Sequence, residues 1–152
     1  ERSWITAAGA LLDAAAFWVA CVDDHPVDPD AQLCIRAGFL ALRHIADAYK
    51  LPYDPDPPAG GPITIWRAEW DGAMAEMEEA GVPLVADRDR AWADWKGWRV
   101  NYDTVLLRLA RLVEAPPAPW VSDRSPVAAA NGARSPAGPG RTASGWRQWT
   151  RR

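Results

Sequence analysis

Residues 87–114 of the chain read DRDRAWADWKGWRVNYDTVLLRLARLVE, the longest periodic stretch of the sequence. Its apolar side chains recur every three or four positions, at Trp95, Trp98, Tyr102, Val105, Leu109 and Leu112. This spacing gathers them on one face of an α-helix, with a polar stripe about 100° away. We therefore predict one long helix that begins at an Asp87 cap, with Trp98 and Tyr102 in the core.

Two further helices are predicted near the N-terminus. Residues 4–22 are apolar nearly all round and follow Ser3, a residue type that often caps helices. A helix of this kind belongs at the centre of a bundle. The pair Asp28–Pro29 combines a capping side chain with a proline suited to the first helical position, and an amphipathic pattern follows it as far as Pro52.

The remaining helix is predicted over residues 65–80, after a Thr64 cap. Trp66 and Trp70 are expected on its buried face, and Gly81 supplies the left-handed residue that often ends a helix. Prolines crowd the connections between the helical segments and cannot continue them. The sequence therefore predicts an all-α bundle of about four helices with Pro-rich connections.

The composition changes near residue 126. Residues 126–152 consist mainly of Ala, Gly, Pro, Ser and Arg, and their five arginines without an acid give a charge of +5. Since the whole chain has a formal charge of −3, residues 1–125 hold −8. We predict a helical domain over 1–125 and a flexible, disordered tail over 126–152. The acidic domain argues against nucleic acid as a partner, because phosphate binding needs clustered Lys and Arg.

The first predicted helix also requires a membrane test. Residues 4–22 carry one charged side chain, Asp13, near their middle. On an insertion scale the apolar side chains gain about 3 kcal/mol, and a central aspartate costs about as much. We interpret the segment as a buried bundle helix, although its length would allow membrane insertion. Asp13 is then expected to pair with an arginine from a neighbouring helix. The alternative is that Asp13 is a catalytic acid, since burial raises the pKa of a carboxyl group.

Side chains able to hold a metal or perform catalysis are few. Cys21, His25, Cys34 and His44 follow the spacing C-x3-H-x8-C-x9-H, which does not fit a zinc site. We interpret the cysteines as buried, inert thiols and expect neither a metal nor a cofactor. An enzyme built around Asp13 or His25 is the weakest hypothesis, because no activating partner accompanies either residue.

The most unusual local pattern is GWRVNYD at residues 97–103. Arg99 and Asp103 are four positions apart and can pair on one helix face, and Asn101 lies on the polar stripe beside them. Such pairs on a helix surface contribute little to stability. We therefore interpret the pattern as a packed helix with a surface ion pair, and an interaction motif is the alternative.

Several short motifs carry a family resemblance. The main ones are WRVNYD at 98–103, APPAPW at 115–120 and SDR at 122–124. Further ones are ERSW at 1–4, RAG at 36–38, LRHIAD at 42–47, AGVPL at 80–84 and DR at 87–88. Together they resemble the C-terminal soluble region of actinobacterial membrane proteins of the ion-channel-like or two-pore-domain potassium-channel-like type. The resemblance covers about residues 1–125, and a pore would lie upstream of them.

The resemblance implies a non-catalytic accessory or regulatory domain at the cytoplasmic face of the cell membrane. Its partner would be the membrane-embedded remainder of the parent protein, through which it could form a homo-oligomer. The candidate interaction residues are Arg99, Asn101, Asp103, Trp120, Asp123 and Arg124. The alternative function is a stand-alone helical module whose Trp-rich core lines a ligand pocket.

The end of the tail suggests a second kind of contact. The last seven residues contain two tryptophans and three arginines, namely Trp146, Arg147, Trp149, Arg151 and Arg152. Cations beside interfacial aromatic rings are attracted by an anionic lipid surface. We regard these five residues as candidate membrane contacts, and a solvated end is the alternative.

Overall fold

The computed structural model of the chain describes residues 3–23 and 28–126. Within these ranges the chain forms five α-helices and no strand, so the predicted all-α class is confirmed. The helices are α1 (Trp4–Cys21), α2 (Pro29–Ala48), α3 (Arg67–Glu79), α4 (Arg88–Arg99) and α5 (Asp103–Leu112). All of the predicted tail except Pro126 lies outside the described residues.

Helix α1 packs against α2, α4 and α5, and its buried face includes Asp13. Its approach to α2 is close, since a Cβ atom on Gly38 would collide with the side chain of Leu12. The opposite side of α1 faces outward and exposes the side chains of Trp4, Leu11 and Trp18. The expectation of a helix surrounded on all sides is therefore wrong for this outward side.

Helix α1 is also the one helix in the described ranges that is long and apolar enough to cross a membrane, with a mean hydropathy of 1.5 over Trp4–Cys21. Of that span, 44% is buried inside the protein. Core helices of soluble proteins pass the same length and composition test. Helix α1 packs against three other helices, as the interpretation of this segment as a bundle helix predicts.

Two of the predicted helix ends are correct, namely the start of α2 and the end of α3. The Asp28 carboxylate accepts the amides of Asp30 and Ala31, both at 3.0 Å, as a capping side chain should. Gly81 has a φ of +81° directly after α3, which confirms the left-handed ending.

The predicted start of α3 is wrong. The helix begins at Arg67, and the Glu69 carboxylate accepts the amide of Trp66 at 2.8 Å. Trp66 therefore sits ahead of the helix and is 75% exposed instead of buried. Thr64 is no cap, because its amide and hydroxyl both donate to Asp103, each at 2.9 Å.

The single long helix predicted over 87–114 is two helices, α4 and α5, separated at residues 100–102. There the amides of Asn101 and Tyr102 bond carbonyls three residues back, at Trp98 and Arg99. A turn tightened in this way marks the end of a regular α-helix. Neither glycine nor proline occurs at 100–102, so the break has another cause, and the contacts of Asn101 described below supply it.

Most of the apolar face predicted for this segment lies in the core. The buried members are Trp95, Tyr102, Val105 and Leu109. Trp98 is half-buried and packs against the core, so its predicted place holds only in part. Leu112 is 45% exposed, because α5 ends there.

Aromatic rings form the centre of the core. Phe17 from α1 lies 5.2 Å from the Trp95 ring of α4, measured between ring centroids. Trp95 in turn contacts Trp92 at 5.7 Å and Trp120 at 5.6 Å, and Trp70 of α3 contacts Trp92 at 5.5 Å. Rings of this size bury about 150–250 Å² each, so this cluster joins α1, α3 and α4 and the segment after α5.

Candidate functional site

The most concentrated group of charged side chains surrounds Arg99, at the end of α4. Arg99 is completely buried, and its Nη1 donates to both oxygens of Asp13, at 2.8 and 2.7 Å. Its Nε donates to Asp103 Oδ1 at 2.8 Å, and its Nη2 donates to the carbonyl of Trp120 at 2.6 Å. All three guanidinium nitrogens thus have acceptors, which come from α1, α5 and the segment that follows α5.

Both carboxylates have further donors. The Tyr102 hydroxyl donates to Asp13 Oδ1 at 2.8 Å. Asp103 accepts the amide and the hydroxyl of Thr64 from the segment before α3. We call Asp13, Thr64, Arg99, Tyr102 and Asp103 the Arg99 cluster. Buried polar groups are stable when they satisfy one another in this way.

The electrostatics of the cluster keep its two donors protonated. Burial by itself lowers the pKa of the Arg99 guanidinium, but the charges of Asp13 and Asp103 together raise that pKa above its usual value. Burial also raises the pKa of Tyr102 well above its usual value, and the charge of Asp13 acts in the same direction. At neutral pH the Tyr102 hydroxyl therefore remains a hydrogen-bond donor.

This arrangement connects the end of α4 to α1, to α5 and to the segment after α5. The predicted pairing of Asp13 with an arginine of a neighbouring helix is confirmed, with Arg99 as the partner. The predicted ion pair of Arg99 and Asp103 also forms, but its placement on the surface is wrong, since both residues are buried. The reason is that the chain turns between α4 and α5 and directs both side chains inward, where Arg99 reaches Asp13 of α1 and Asp103 reaches Thr64.

Asn101, another predicted site residue, stabilises the turn itself. Its side-chain amide donates to the carbonyl of Gly97 at 2.9 Å and to that of Trp98 at 3.3 Å. Its backbone carbonyl accepts the Arg43 Nε and Nη2 of α2, at 3.1 and 2.9 Å. Asparagine side chains compete with the helix for backbone groups, and here this competition supports the end of α4.

Sequence reasoning missed Arg43, because its position outside the apolar face of α2 indicated a solvated side chain. In the structure Arg43 is half-buried, and its guanidinium carbon lies 4.7 Å from the centroid of the Phe39 ring. Its Nη1 donates to the carbonyl of Pro55 at 2.9 Å. The one available signal was the Pro-rich segment after α2, whose carbonyls require donors from elsewhere.

The predicted residues near the end of the helical domain also hold the fold together. Arg124 donates to Glu69 through Nη2 at 2.8 Å and through Nη1 at 3.1 Å, and to the carbonyl of Thr64 at 2.9 Å. Asp123 accepts the Arg124 Nε at 2.9 Å. Hydrogen bonds from Arg124 lower the pKa of both Glu69 and Asp123. Arg124 therefore fastens the chain after α5 to the first turn of α3.

Trp120 contributes to the fold through its backbone and its ring. It has a φ of +62°, uncommon for a residue other than glycine, and in this conformation its carbonyl reaches Arg99. Its ring lies 5.9 Å from that of Phe17, inside the aromatic core. Each of the six predicted interaction residues is thus engaged within the fold.

A shallow hollow of about 380 Å³ lies between the end of α5 and the segment that follows it. Its charged walls are balanced, with Arg111 and Arg124 against Glu114 and Asp123. The Arg111 Nη2 donates to the hydroxyl of Ser125 at 2.6 Å across its edge. No tryptophan of the described residues lines this hollow, so it is not the Trp-lined pocket of the alternative hypothesis.

The candidate metal ligands do not come together in the part of the chain that the structure describes, where no three His, Cys, Asp or Glu side chains form a set suited to a metal. Cys21 is buried as predicted, but Cys34 is only half-buried, so the prediction of a buried thiol is wrong for Cys34; His44 is exposed. Burial raises the pKa of the Cys21 thiol to about 12. His25 and the tail residues from Trp146 to Arg152 lie outside the described ranges.

Comparison with known proteins gives no relative, since no family model, curated protein or solved structure matches the chain.

Proposed function

We propose that the chain is a non-catalytic accessory or regulatory domain of a bacterial channel-like membrane protein, located at the cytoplasmic face of the membrane. The observation that carries the non-catalytic part is the state of the Arg99 cluster. Its guanidinium, both carboxylates and the Tyr102 hydroxyl are bonded to one another inside the bundle. A catalytic acid or base must instead reach a proton of the substrate.

The membrane part of the proposal rests on the motif resemblance over residues 1–125. The outward side of α1 supports a role in protein contacts, because it exposes two tryptophans and a leucine to solvent. Large exposed apolar groups on one face are typical of interaction surfaces. The hollow beside α5 does not support the ligand-binding alternative, since no tryptophan lines it.

The test uses the parent gene and its product. We expect the gene to encode at least one segment of about 20 apolar residues upstream of Glu1. The tagged parent should then remain in the membrane fraction after an alkaline carbonate wash, and the isolated chain should be released by it. In inside-out vesicles an added protease should digest the domain, and in right-side-out cells it should not. A soluble parent, or digestion from outside the cell, would refute the proposal.

The tail forms a separate part of the proposal. Arg147, Arg151 and Arg152, beside Trp146 and Trp149, are expected to contact anionic lipid headgroups, at about 1 kcal/mol for each basic residue near the surface. Co-sedimentation with anionic vesicles at low salt should retain more of the intact chain than of a chain truncated after Arg124. Equal binding of both chains would exclude a lipid contact by the tail.

A further inference from the structure

The outward side of α1 is an apolar strip without a charge. Trp4, Leu11 and Trp18 expose 49%, 60% and 42% of their surfaces, and the exposed alanines Ala7 and Ala14 lie between them. The single charged side chain within Trp4–Cys21 is Asp13, which points inward to Arg99. We call these five residues, with the half-buried Ala8 and Ala15, the α1 strip, and the exposed Ala10 lies at its border.

The residue types of the α1 strip are symmetric about Leu11. Trp4 and Trp18 are each seven positions from Leu11. The alanines at 7 and 8 mirror those at 15 and 14 about the same centre. Spacings of three and four residues over two heptads keep all of these side chains on one line along the helix. A two-fold axis at Leu11 would therefore place Leu11 against its own equivalent, and every other residue of the strip against a residue of the same type in the second copy, Trp4 against Trp18 for example.

We propose that the α1 strip binds a second copy of this chain, with the two α1 helices antiparallel about a two-fold axis at Leu11. A two-fold interface requires a self-complementary surface, and the mirrored strip supplies one. The small alanines allow the helix axes to approach, toward the lower end of the usual range of about 8–10 Å. The tryptophans of each copy would then cover the two ends of the contact.

Two features favour this occupant. The strip is uncharged, so two acidic bodies can meet there without like charges opposing each other at the contact. The Trp18 ring is also held in place, because its Nε1 donates to Asp28 Oδ2 at 2.9 Å. A surface ordered before binding loses less conformational freedom when the partner arrives.

The size of the strip sets the strength of the dimer. A fully covered tryptophan buries about 150–250 Å² of its surface. The partly exposed strip therefore offers on the order of 400 Å² of accessible surface per copy for burial. A stable interface usually buries about 800 Å² per partner, so this one belongs to the weak, reversible class. We expect a dimer that forms at concentrations of roughly 0.1–1 mM and dissociates on dilution. Attachment of two copies to one membrane assembly would raise their effective concentration.

Sedimentation equilibrium of the intact chain at increasing concentration tests the proposal, and Leu11→Asp is the decisive variant. It places two carboxylates at the two-fold axis and should weaken dimerisation at least about tenfold with an unchanged thermal midpoint. Leu40→Asp is the matched control, since Leu40 is 49% exposed. It lies two positions from Gly38, which faces α1, and so points about 160° away from that helix. The control should dimerise like the wild type.

Cysteine cross-linking in a Cys34→Ser background tests the direction of the helices. Leu11→Cys should form a disulfide-linked dimer under mild oxidation, because the two positions meet at the axis. Trp4→Cys should not, since 14 helical residues separate the equivalent positions by about 21 Å. Efficient linkage through position 4 would overturn the antiparallel arrangement. A wild-type chain that stays monomeric at about 1 mM, or a strip that binds vesicles instead, would overturn the proposal as a whole.

Discussion

The Arg99 guanidinium at the end of α4 donates to both carboxylate oxygens of Asp13 in the middle of α1, at 2.8 and 2.7 Å. The two residues are 86 positions apart in sequence, and the pair is buried. It connects the first helix of the bundle to the turn between α4 and α5. Loss of Arg99 is therefore expected to be strongly destabilising, because it leaves the carboxylates of Asp13 and Asp103 inside the protein without a cation.

The Tyr102 hydroxyl stabilises this pair through its bond to Asp13. Tyr102→Phe removes one hydrogen bond to a charged acceptor without opening a cavity, and should lower the free energy of unfolding by about 1.5–3 kcal/mol. Tyr53→Phe is the control, since that hydroxyl bonds Asp47 at an exposed site. It should cost about 0.5 kcal/mol or less. Urea unfolding measures both, and equal losses would show that the buried hydroxyl has no special role.

Because of the contacts of Arg124, the stability of the domain should decrease as the pH falls through the acidic range. Its hydrogen bonds lower the folded-state pKa values of Glu69 and Asp123 below those of the unfolded chain. The stability they provide is present above the unfolded pKa values and is lost as the pH falls through the folded ones. The wild type should therefore lose more stability than Arg124→Gln between about pH 5 and pH 3.

The thermal midpoint as a function of pH measures this difference. Arg90→Gln provides a comparison, because the Arg90 Nε lies 3.8 Å from Asp94 in a more exposed pair. Its pH profile should follow that of the wild type. If Arg124→Gln also followed the wild type, the contact with Glu69 would have no influence on the stability of the folded domain.

Cys21 is expected to be unreactive in the native protein. Its pKa of about 12 leaves about one thiolate in 10⁴ at pH 8, and the side chain is buried. In a Cys34→Ser variant, Ellman's reagent should label the native chain only as fast as the chain unfolds. The same variant in concentrated urea should react at once. Rapid labelling without denaturant would contradict the burial of this thiol.

Truncation of two tryptophans should change the stability of the domain by very different amounts. Trp95 is completely buried at the centre of the aromatic core, and Trp95→Ala should cost about 3–5 kcal/mol. Trp66 is 75% exposed ahead of α3, and Trp66→Ala should change stability by less than about 0.5 kcal/mol. Chemical denaturation of the two variants decides the matter. A large loss for Trp66→Ala would restore the buried position that the helical pattern suggested.

Local patterns were sufficient for the parts of the fold that local physics controls. The capping of α2 by Asp28 and the left-handed Gly81 depend on backbone preferences of single residues. The pairing of Asp13 with an arginine also followed, since an acid in an apolar helix requires a partner. The sequence did not say which arginine, because that choice depends on how α1 and α4 meet in space.

The break between α4 and α5 could not be predicted for the same reason. The apolar spacing continues across residues 100–102. The competing contacts come from the Asn101 side chain, which bonds two carbonyls of α4, and from Arg43 on a different helix, which the local pattern does not show. Once the chain turns there, Arg99 and Asp103 face the interior and their pair is no longer on the surface. Trp66 was misplaced because Glu69 caps its amide, which moves the start of α3 two residues along.

The role of the Arg99 cluster as a structural clamp is tested most directly by a double-mutant cycle between Arg99 and Asp13. Arg99→Met and Asp13→Asn should each lower the free energy of unfolding in urea, the first by about 3–5 kcal/mol. The double variant should lose less than the sum of the two, by about 1–3 kcal/mol, because the interaction between Arg99 and Asp13 can be lost only once. Losses that add within about 0.5 kcal/mol would contradict the clamp.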